Sequence, residues 1–495
     1  MDDRNLKRLC LLLIAAGIAV RLAFLVWARG TMVDDAYITL RYSHNLVVGK
    51  GFVYNEGQHV LGTTAPLYAL WVAMLLRVAP AVEPGYLIGT TNIFFFAAAG
   101  LTLIGICAEL GIRARIFVLM LFALFLRFVD NAILGLETPM FLLGMTGSLW
   151  LLRRRRIWAL SLLLGLLPFI RPEGLFWIAA VLIVVAFLRL RPRALHFVPG
   201  IGVLLVWTIF LIVYYGSPIP QSIAAKSGWV VPHYNTFGAA RIGSAFAALS
   251  LLDVPGPLRH ETAMRLLGAV VLFLSLAFFI VGTLRLYRRK SILFVFPVFF
   301  VLCLASYLIG KGRVDFSWYG IPTGFAYLVA TSAGLESAAS AVMSETIRER
   351  LFRFLVPGVA VVLLVVSVYG WGRGRIPYLR SLRTSYEKAG EYLERNARRN
   401  ARVLTAEIGM IGFTADRFML DMGGIVSPEV MRYCAANGWR TTKCDLLREF
   451  EPDYVVFDPG HLALLDREGG AEWMGAHYEV VAEYPLHTVF RKRAP

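Results

Sequence analysis

Read for its alternation of apolar and polar positions, the chain breaks into long apolar runs joined by short polar segments. A helix crossing a hydrocarbon layer about 30 Å thick needs roughly 20 mostly apolar residues, because each advances the axis by only about 1.5 Å. Eleven runs approach that length, at 8–28, 86–108, 114–128, 138–152, 157–170, 174–190, 195–215, 264–284, 291–310, 319–337 and 354–371. The shorter ones must tilt or carry a polar cap. One more stretch, TTAPLYALWVAMLLRVAP at 63–80, fits either a span or a helix lying at the membrane surface. From about residue 376 the pattern changes: SLRTSYEKAGEYLERNARRNAR reads as an exposed helix. Short strand patterns follow in RVLTAEIG, RFMLDMGG, DYVVFD, YEVVAEY and HTVFRK. The predicted fold class is an α-helical polytopic membrane protein over 1–375, followed by a small C-terminal α/β domain over 376–495.

Charge decides the ambiguous stretch. If 63–80 does not span and the N-terminus is cytoplasmic, the clusters GIRAR (111–115), RRRR (153–156), RLRPR (189–193), RLYRRK (285–290) and RERLFR (348–353) all face the cytoplasm. If it spans, all five face outward, against the rule that basic loops stay inside. The expected topology is therefore eleven spans with the C-terminal domain outside. RGR at 373–375 is a small violation. The first apolar run, after MDDRNLKR, has the look of a signal peptide but is long enough to span, so it is expected to be a retained helix.

Composition supports this picture, with 58% hydrophobic and 17% charged residues. A net charge of +17 would point to nucleic acid in a soluble protein. Here the cations sit between apolar runs and report topology, so no nucleic-acid partner is expected. Cys10, Cys107 and Cys303 lie in apolar runs and should pack as small hydrophobes; Cys434 and Cys444 could form a disulfide if their region is extracytoplasmic. The expected cytoplasmic loops are short and carry no Gly-rich phosphate loop, which excludes a nucleotide-binding domain on that side.

The chemistry should then lie outside. Asp34 and Asp35, in MVDDAYITLRYSHNLVVGKGF, emerge beyond the first span. One acid could cap a helix, leaving the second without a role; alternatively the pair could act as a general base or ligate a divalent cation such as Mg, Mn or Ca. Other ionisable residues sit at the outer ends of spans: Glu137 in LGLETP, Arg171 and Glu173 in IRPEG, Lys226 in YYGSPIPQSIAAK, and Arg313 and Asp315 in GKGRVDFSWYGIP. Such groups near hydrocarbon are functional, or else snorkelling charges or structural pairs such as Arg171 with Glu137. The span interiors are nearly chargeless, which disfavours a transporter or flippase; eleven spans are excessive for a receptor anchor. Tyr37, Tyr54, Trp229, Trp318 and Tyr319 could stack on a sugar or form an interfacial belt.

The run DDAYITLRYSHNLVVGKGFVYNEGQHVLGTTAPLY, with LGLETP, RPEG, YYGSPIPQSIAAK and WYGIP, resembles the GT-C superfamily of multi-span glycosyltransferases. Within it, the run is most similar to the mycobacterial terminal arabinofuranosyltransferase family. EIGMIGFTADRFMLDMGGIVSPE also looks like a segment that follows the last span in such relatives. The resemblance implies an inverting enzyme of a bacterial cytoplasmic (inner) membrane, its active site facing the extracytoplasmic side. It would pass a sugar, arabinofuranose among the candidates, from a polyprenyl-phosphate donor to a glycan, lipid or protein acceptor. Asp34 and Asp35 would occupy the catalytic acidic motif, with Asp34 preferred as base and the other acid orienting the acceptor or binding the cation. Arg171, Lys226 and Arg313 would hold the donor phosphate. Tyr37, Arg41, His44, Glu137, Glu173, Trp318 and Tyr319 would contact substrate.

Overall fold

The computed structural model describes residues 3–226, 262–309, 318–438 and 441–494. Arg313, Asp315 and Trp229 lie outside the described residues. The helices, in order, are α1 Asp3–Trp27, α2 Asp34–Val47, α3 Pro66–Val78, α4 Pro84–Ile106, α5 Ile112–Leu124, α6 Leu126–Ile133, α7 Thr138–Arg153 and α8 Ile157–Leu166. They continue with α9 Gly174–Phe187, α10 Val198–Tyr215, α11 Gln221–Lys226, α12 Thr262–Arg288, α13 Val295–Ile309, α14 Gly320–Val342 and α15 Glu345–Gly370. Each apolar run named above falls on a helix. Among the described residues, six helices are long and apolar enough to cross a membrane, and the bent pair α5–α6 makes a seventh. The chain is a multi-pass membrane protein. The bundle packs around aromatic side chains, with Trp177, Phe296, Phe299 and Phe325 buried together.

At 13 residues α3 is about 20 Å long and, like α8 and α9, shorter than the hydrocarbon layer is thick. It lies against α2, where Ser43 Oγ donates to the Ala69 carbonyl at 2.8 Å, and against α4, where Tyr68 Oη donates to Asn92 Oδ1 at 3.0 Å. Of the two forms expected of this stretch, lying at the interface or packed on the bundle, the contacts are those of the packed one.

The expectation of chargeless span interiors needs one correction. The α5–α6 pair bends by 48°. Phe125 is extended at the break, so carbonyls of the preceding turn lose their helical partners. Fully buried Arg21, from the C-terminal third of α1, donates to the Ala123 carbonyl at 2.7 Å and the Phe122 carbonyl at 3.2 Å, and its guanidinium lies 3.5 Å from the Phe96 ring centroid. The charge is structural: it closes a gap in the helix backbone.

A helical run continues unbroken from α15 to Asn396, passing through π-helical turns at Trp371–Arg375 and Leu382–Glu387. Arg375, one of the topology outliers, pairs with Asp130 at 2.9 Å. The run feeds a five-stranded sheet of β1 Arg402–Thr405, β2 Phe418–Asp421, β3 Tyr454–Phe457, β4 Tyr478–Glu483 and β5 Thr488–Lys492, ordered β2-β1-β3-β5-β4. The first three strands are parallel neighbours, and the β4–β5 hairpin joins antiparallel. Central β3, YVVF, is buried on both faces. Cys434 and Cys444 are both buried free thiols; they pack in different apolar clusters, so the disulfide considered above is not formed.

Candidate functional site

A cavity of about 300 Å³ opens at one end of the bundle, a volume suited to a small ligand. Its ionisable lining is Asp35 from α2, Glu137 at the start of α7, Arg171 and Glu173 before α9, and Lys226 at the end of α11. Trp318 and Tyr319 at the start of α14 and Tyr307 on α13 line it as well. Stretches separated by hundreds of residues thus converge, as the charged span ends predicted.

The two adjacent acids part company. Successive residues on a helix point about 100° apart. Asp35 faces the cavity, its Oδ2 3.9 Å from Lys226 Nζ. Lys226 Nζ in turn donates to Tyr319 Oη at 3.4 Å. Asp34 does not line the cavity; it is buried against the C-terminal domain, where Oδ2 accepts from Gly409 N at 3.0 Å and Oδ1 from Met410 N at 2.7 Å. Burial raises the Asp34 carboxyl above its ordinary range, opposed by the two amide hydrogen bonds. Buried Glu407 is raised as well, by burial first and then by the charge of Asp34. The sequence preference for Asp34 as base therefore meets a physical objection: both its oxygens are already engaged in holding two parts of the chain together.

Three more residues expected at the substrate follow Asp34 round the same stripe. Tyr37 and His44 flank the ring of Phe413, each with centroids 5.9 Å away. Arg41 donates to the Gly412 carbonyl at 2.7 Å and the Arg417 carbonyl at 2.6 Å, and stacks on Tyr54 at 4.2 Å. None of Tyr37, Arg41 and His44 lines the cavity; positions 34, 37, 41 and 44 form the docking face of α2. Glycine makes the approach feasible. A Cβ on Gly409 would lie 2.0 Å from the Asp34 carbonyl oxygen, and one on Gly412 2.0 Å from Tyr54 Oη. Tyr54, expected to stack on a sugar, instead donates its hydroxyl to the Ile408 carbonyl. Asn55 adds a two-way pairing with the Met419 backbone at 3.0 and 2.9 Å.

Arg171 also departs from its expected role. Its Nη1 meets Glu137 Oε1 at 2.6 Å and Thr138 Oγ1 at 3.2 Å, and its Nη2 and Nε meet Glu173 at 2.9 and 3.3 Å. Two carboxylates more than neutralise it, so it is a scaffold for acids at the cavity wall and a weak candidate for holding phosphate. Burial raises the Glu137 carboxyl, with Arg171 pulling the other way. Lys226 remains positioned for an anion. The cation expectation fares poorly on geometry: Asp34 and Asp35 diverge, and the oxygens of Asp34 are taken by amides. Among the described residues no group of three or more His, Cys, Asp or Glu side chains converges on a point. The pair does not fit a shared metal.

Several lining residues escaped the sequence reading. Thr39 sits one turn beyond Asp35 and its Oγ1 lies 3.3 Å from Thr63 Oγ1; the four-residue spacing was a usable signal. Ile425 brings the C-terminal domain itself into the cavity wall. It is set there by a turn in which the Asp421 carboxylate accepts from the amides of Gly423, Ile425 and Val426. Gln221 Nε2 fastens the same turn by donating to the Gly424 carbonyl at 2.6 Å.

Residues 376–494 match a family described as Domain of unknown function (DUF8728). No curated protein matches the chain by sequence. Among solved structures, the chain is similar to the Archaeoglobus fulgidus oligosaccharyltransferase in its apo form, with 12% identity, TM-score 0.53, and coverage of 98% of this chain and 75% of that one. It is also similar to ArnT from Cupriavidus metallidurans, with 12% identity, TM-score 0.50, and coverage of 95% and 96%. Arabinofuranosyltransferase AftD from Mycobacteria aligns at 14% identity over 97% of this chain and 40% of that one, with a TM-score of 0.44 that carries no weight for the sugar. The chain shares the fold of the first two of these structures, and likenesses this remote speak to fold alone.

Proposed function

We propose that the chain is a membrane glycosyltransferase that takes a sugar from a polyprenyl-phosphate donor and transfers it to an extracytoplasmic glycan, lipid or protein acceptor, with inversion at the anomeric carbon. The observation that carries this reading is the Asp35–Lys226 juxtaposition in an acid-rich cavity of a GT-C fold. Asp35 accepts the proton of the acceptor hydroxyl as its oxygen bonds to the anomeric carbon. The bond from that carbon to the phosphate oxygen breaks, and its electron pair leaves with the polyprenyl phosphate. Lys226, backed by Tyr319, meets the developing negative charge. Glu137 and Glu173, held by Arg171, have acceptor oxygens suited to sugar hydroxyls. No step is routed through a metal.

Sidedness follows from the basic clusters: they lie at the bundle end away from the cavity, so the cavity faces outward if the clusters stay inside. Arg21 supports an enzyme over a transporter, because its charge is tied to backbone carbonyls and offers no relay along the bundle.

The test uses purified full-length protein, a panel of polyprenyl-phosphate sugars and detection of released lipid phosphate. Turnover with at least one donor, reduced about 10²–10⁴-fold in Asp35→Asn, is expected. Unchanged activity in Asp35→Asn would sink the mechanism, and silence with every donor would sink the class of reaction.

A further inference from the structure

A second cleft, of about 360 Å³, lies at the other end of the bundle. Helix α7 connects the two sites: Glu137 precedes its first residue and Arg153 is its last, 16 helical residues or about 24 Å along the axis. The cleft sits where α7 and α9 end, α8 begins and the chain turns into α10. Its walls are apolar, with Leu160, Leu164, Val181 and Val185 among them, and its rim is basic, with Arg153, Arg155, Arg191 and His196. Among the described residues no carboxylate lines it. That separates it from the first cavity, where acids outnumber bases. The neighbouring side chains Trp158, Leu162, Leu182 and Ile183 are exposed, so the cleft opens on the hydrocarbon-facing surface. Arg153 is steadied by donating to the Gly105 carbonyl at 2.5 Å, and His196 by an edge-on contact with Trp158 at 5.4 Å.

We propose that this cleft binds an anionic phospholipid, with an acyl chain along Leu160, Leu164, Val181 and Val185 and the headgroup phosphate between Arg153, Arg155 and Arg191. The inference does not depend on the transferase reading. It rests on charge complementarity: a slot grading from unneutralised guanidinium groups to aliphatic walls, at the depth where helices leave the membrane, matches an amphiphile with a negative head. A soluble anion would leave the apolar walls empty, and a zwitterionic lipid would bring a cation to an already basic rim.

Native mass spectrometry of the full chain, carrying phosphatidylglycerol or phosphatidylcholine from mixed nanodiscs, measures the preference. Phosphatidylglycerol should be retained preferentially. A guanidinium in contact with the headgroup phosphate contributes about fivefold to binding, so Arg155→Gln/Arg191→Gln should weaken retention by about 25-fold. Arg154→Gln/Arg156→Gln removes the same charge from the RRRR run but outside the cleft lining, makes no headgroup contact, and should change retention by less than about twofold. Arg155→Lys/Arg191→Lys guards against a folding defect and should keep the preference to within about threefold. Equal weakening by both glutamine pairs would reduce the effect to general surface attraction and overturn the site. So would loss in the lysine pair as deep as in the glutamine pair, or the absence of any preference for the anionic lipid. Displacement of the lipid by inorganic phosphate alone would assign the rim to a free anion and overturn the lipid.

Discussion

The contact between the first loop and the C-terminal domain can be tested at Gly412. An alanine there would place its Cβ 2.0 Å from Tyr54 Oη, far inside van der Waals contact. Tyr54 cannot retreat freely: it is fully buried, its ring faces Tyr42 at 5.9 Å, and the Arg41 guanidinium covers it at 4.2 Å. Overpacking costs about 1–3 kcal/mol, and displacing the hydroxyl forfeits its hydrogen bond to the Ile408 carbonyl, about 1 kcal/mol more. Gly412→Ala should therefore destabilise the chain by about 3 kcal/mol, and Tyr54→Phe alone by about 1–2 kcal/mol. In the double variant the clashing oxygen is gone. The next atoms are Arg41 Nη1 at 3.0 Å and Tyr54 Cζ at 3.2 Å, contacts that a shift of a few tenths of an ångström relieves. The double variant should then cost only about 2 kcal/mol, leaving a coupling of about 2 kcal/mol. Thermal unfolding followed by tryptophan fluorescence reads this out at about 4 °C per kcal/mol for a domain of this size. Additive effects, within about 0.5 kcal/mol, would refute the claim that the hydroxyl is what excludes alanine.

Other consequences can be checked in parallel. Asp34→Asn replaces an acceptor with an N–H facing a backbone N–H, and should lower the melting temperature by about 2 kcal/mol equivalent, whereas Asp35→Asn should melt like the parent; differential scanning fluorimetry separates them, and equal melting of the two would contradict their division of labour. Lys226→Gln should lower kcat by roughly 10²-fold in the donor assay with a smaller change in KM, and an effect confined to KM would remove it from the leaving-group step. Arg21→Met should cost about 3 kcal/mol by orphaning carbonyls at the α5–α6 bend, with a neutral outcome showing that the bend needs no staple. His487 is buried with Nδ1 3.0 Å from Ser385 Oγ, and burial pushes it down to about 4 from 6.5. The unfolded chain then binds the proton more tightly. Stability is full above about pH 6.5 and falls by up to about 3 kcal/mol as the pH drops toward 4; in His487→Gln that slope should vanish, and an unchanged slope would assign it elsewhere. Glu56→Cys, 71% exposed in its side chain, should react with an impermeant thiol reagent from outside intact cells while Arg154→Cys does not; the reverse pattern would invert the topology.

The helices were legible because apolar run length is a strong signal, and the sheet because its five strand patterns are short and bounded. The bend at Phe125 was not, since the residues just before it are uniformly apolar, and the role of Arg21 was not either, because its acceptors are backbone carbonyls, which sequence does not display. At the site, Glu137, Glu173, Lys226, Trp318 and Tyr319 were located by their common level at the ends of spans. Periodicity also places 34, 37, 41 and 44 on one stripe of α2 and 35 and 39 on another. What it cannot say is which stripe meets the cavity and which meets the tail. That depends on Gly409 and Gly412, whose missing side chains matter only once the two segments are brought together. Arg171 illustrates the same limit: a pair with Glu137 was one reading of the sequence, and geometry decided for it and added Glu173.

Asp34 and Gly409 are 375 residues apart in the chain. At synthesis rates of about 5–20 residues per second, roughly 20 to 75 s pass between the emergence of one and the other. For that interval α2 has its lipid-side neighbours but not its lid, and the cavity lacks the wall that Ile425 supplies. A half-made chain in the membrane therefore holds nearly all its ionisable site residues without the enclosure around them, and a domain translated after the bundle is the one that closes the site.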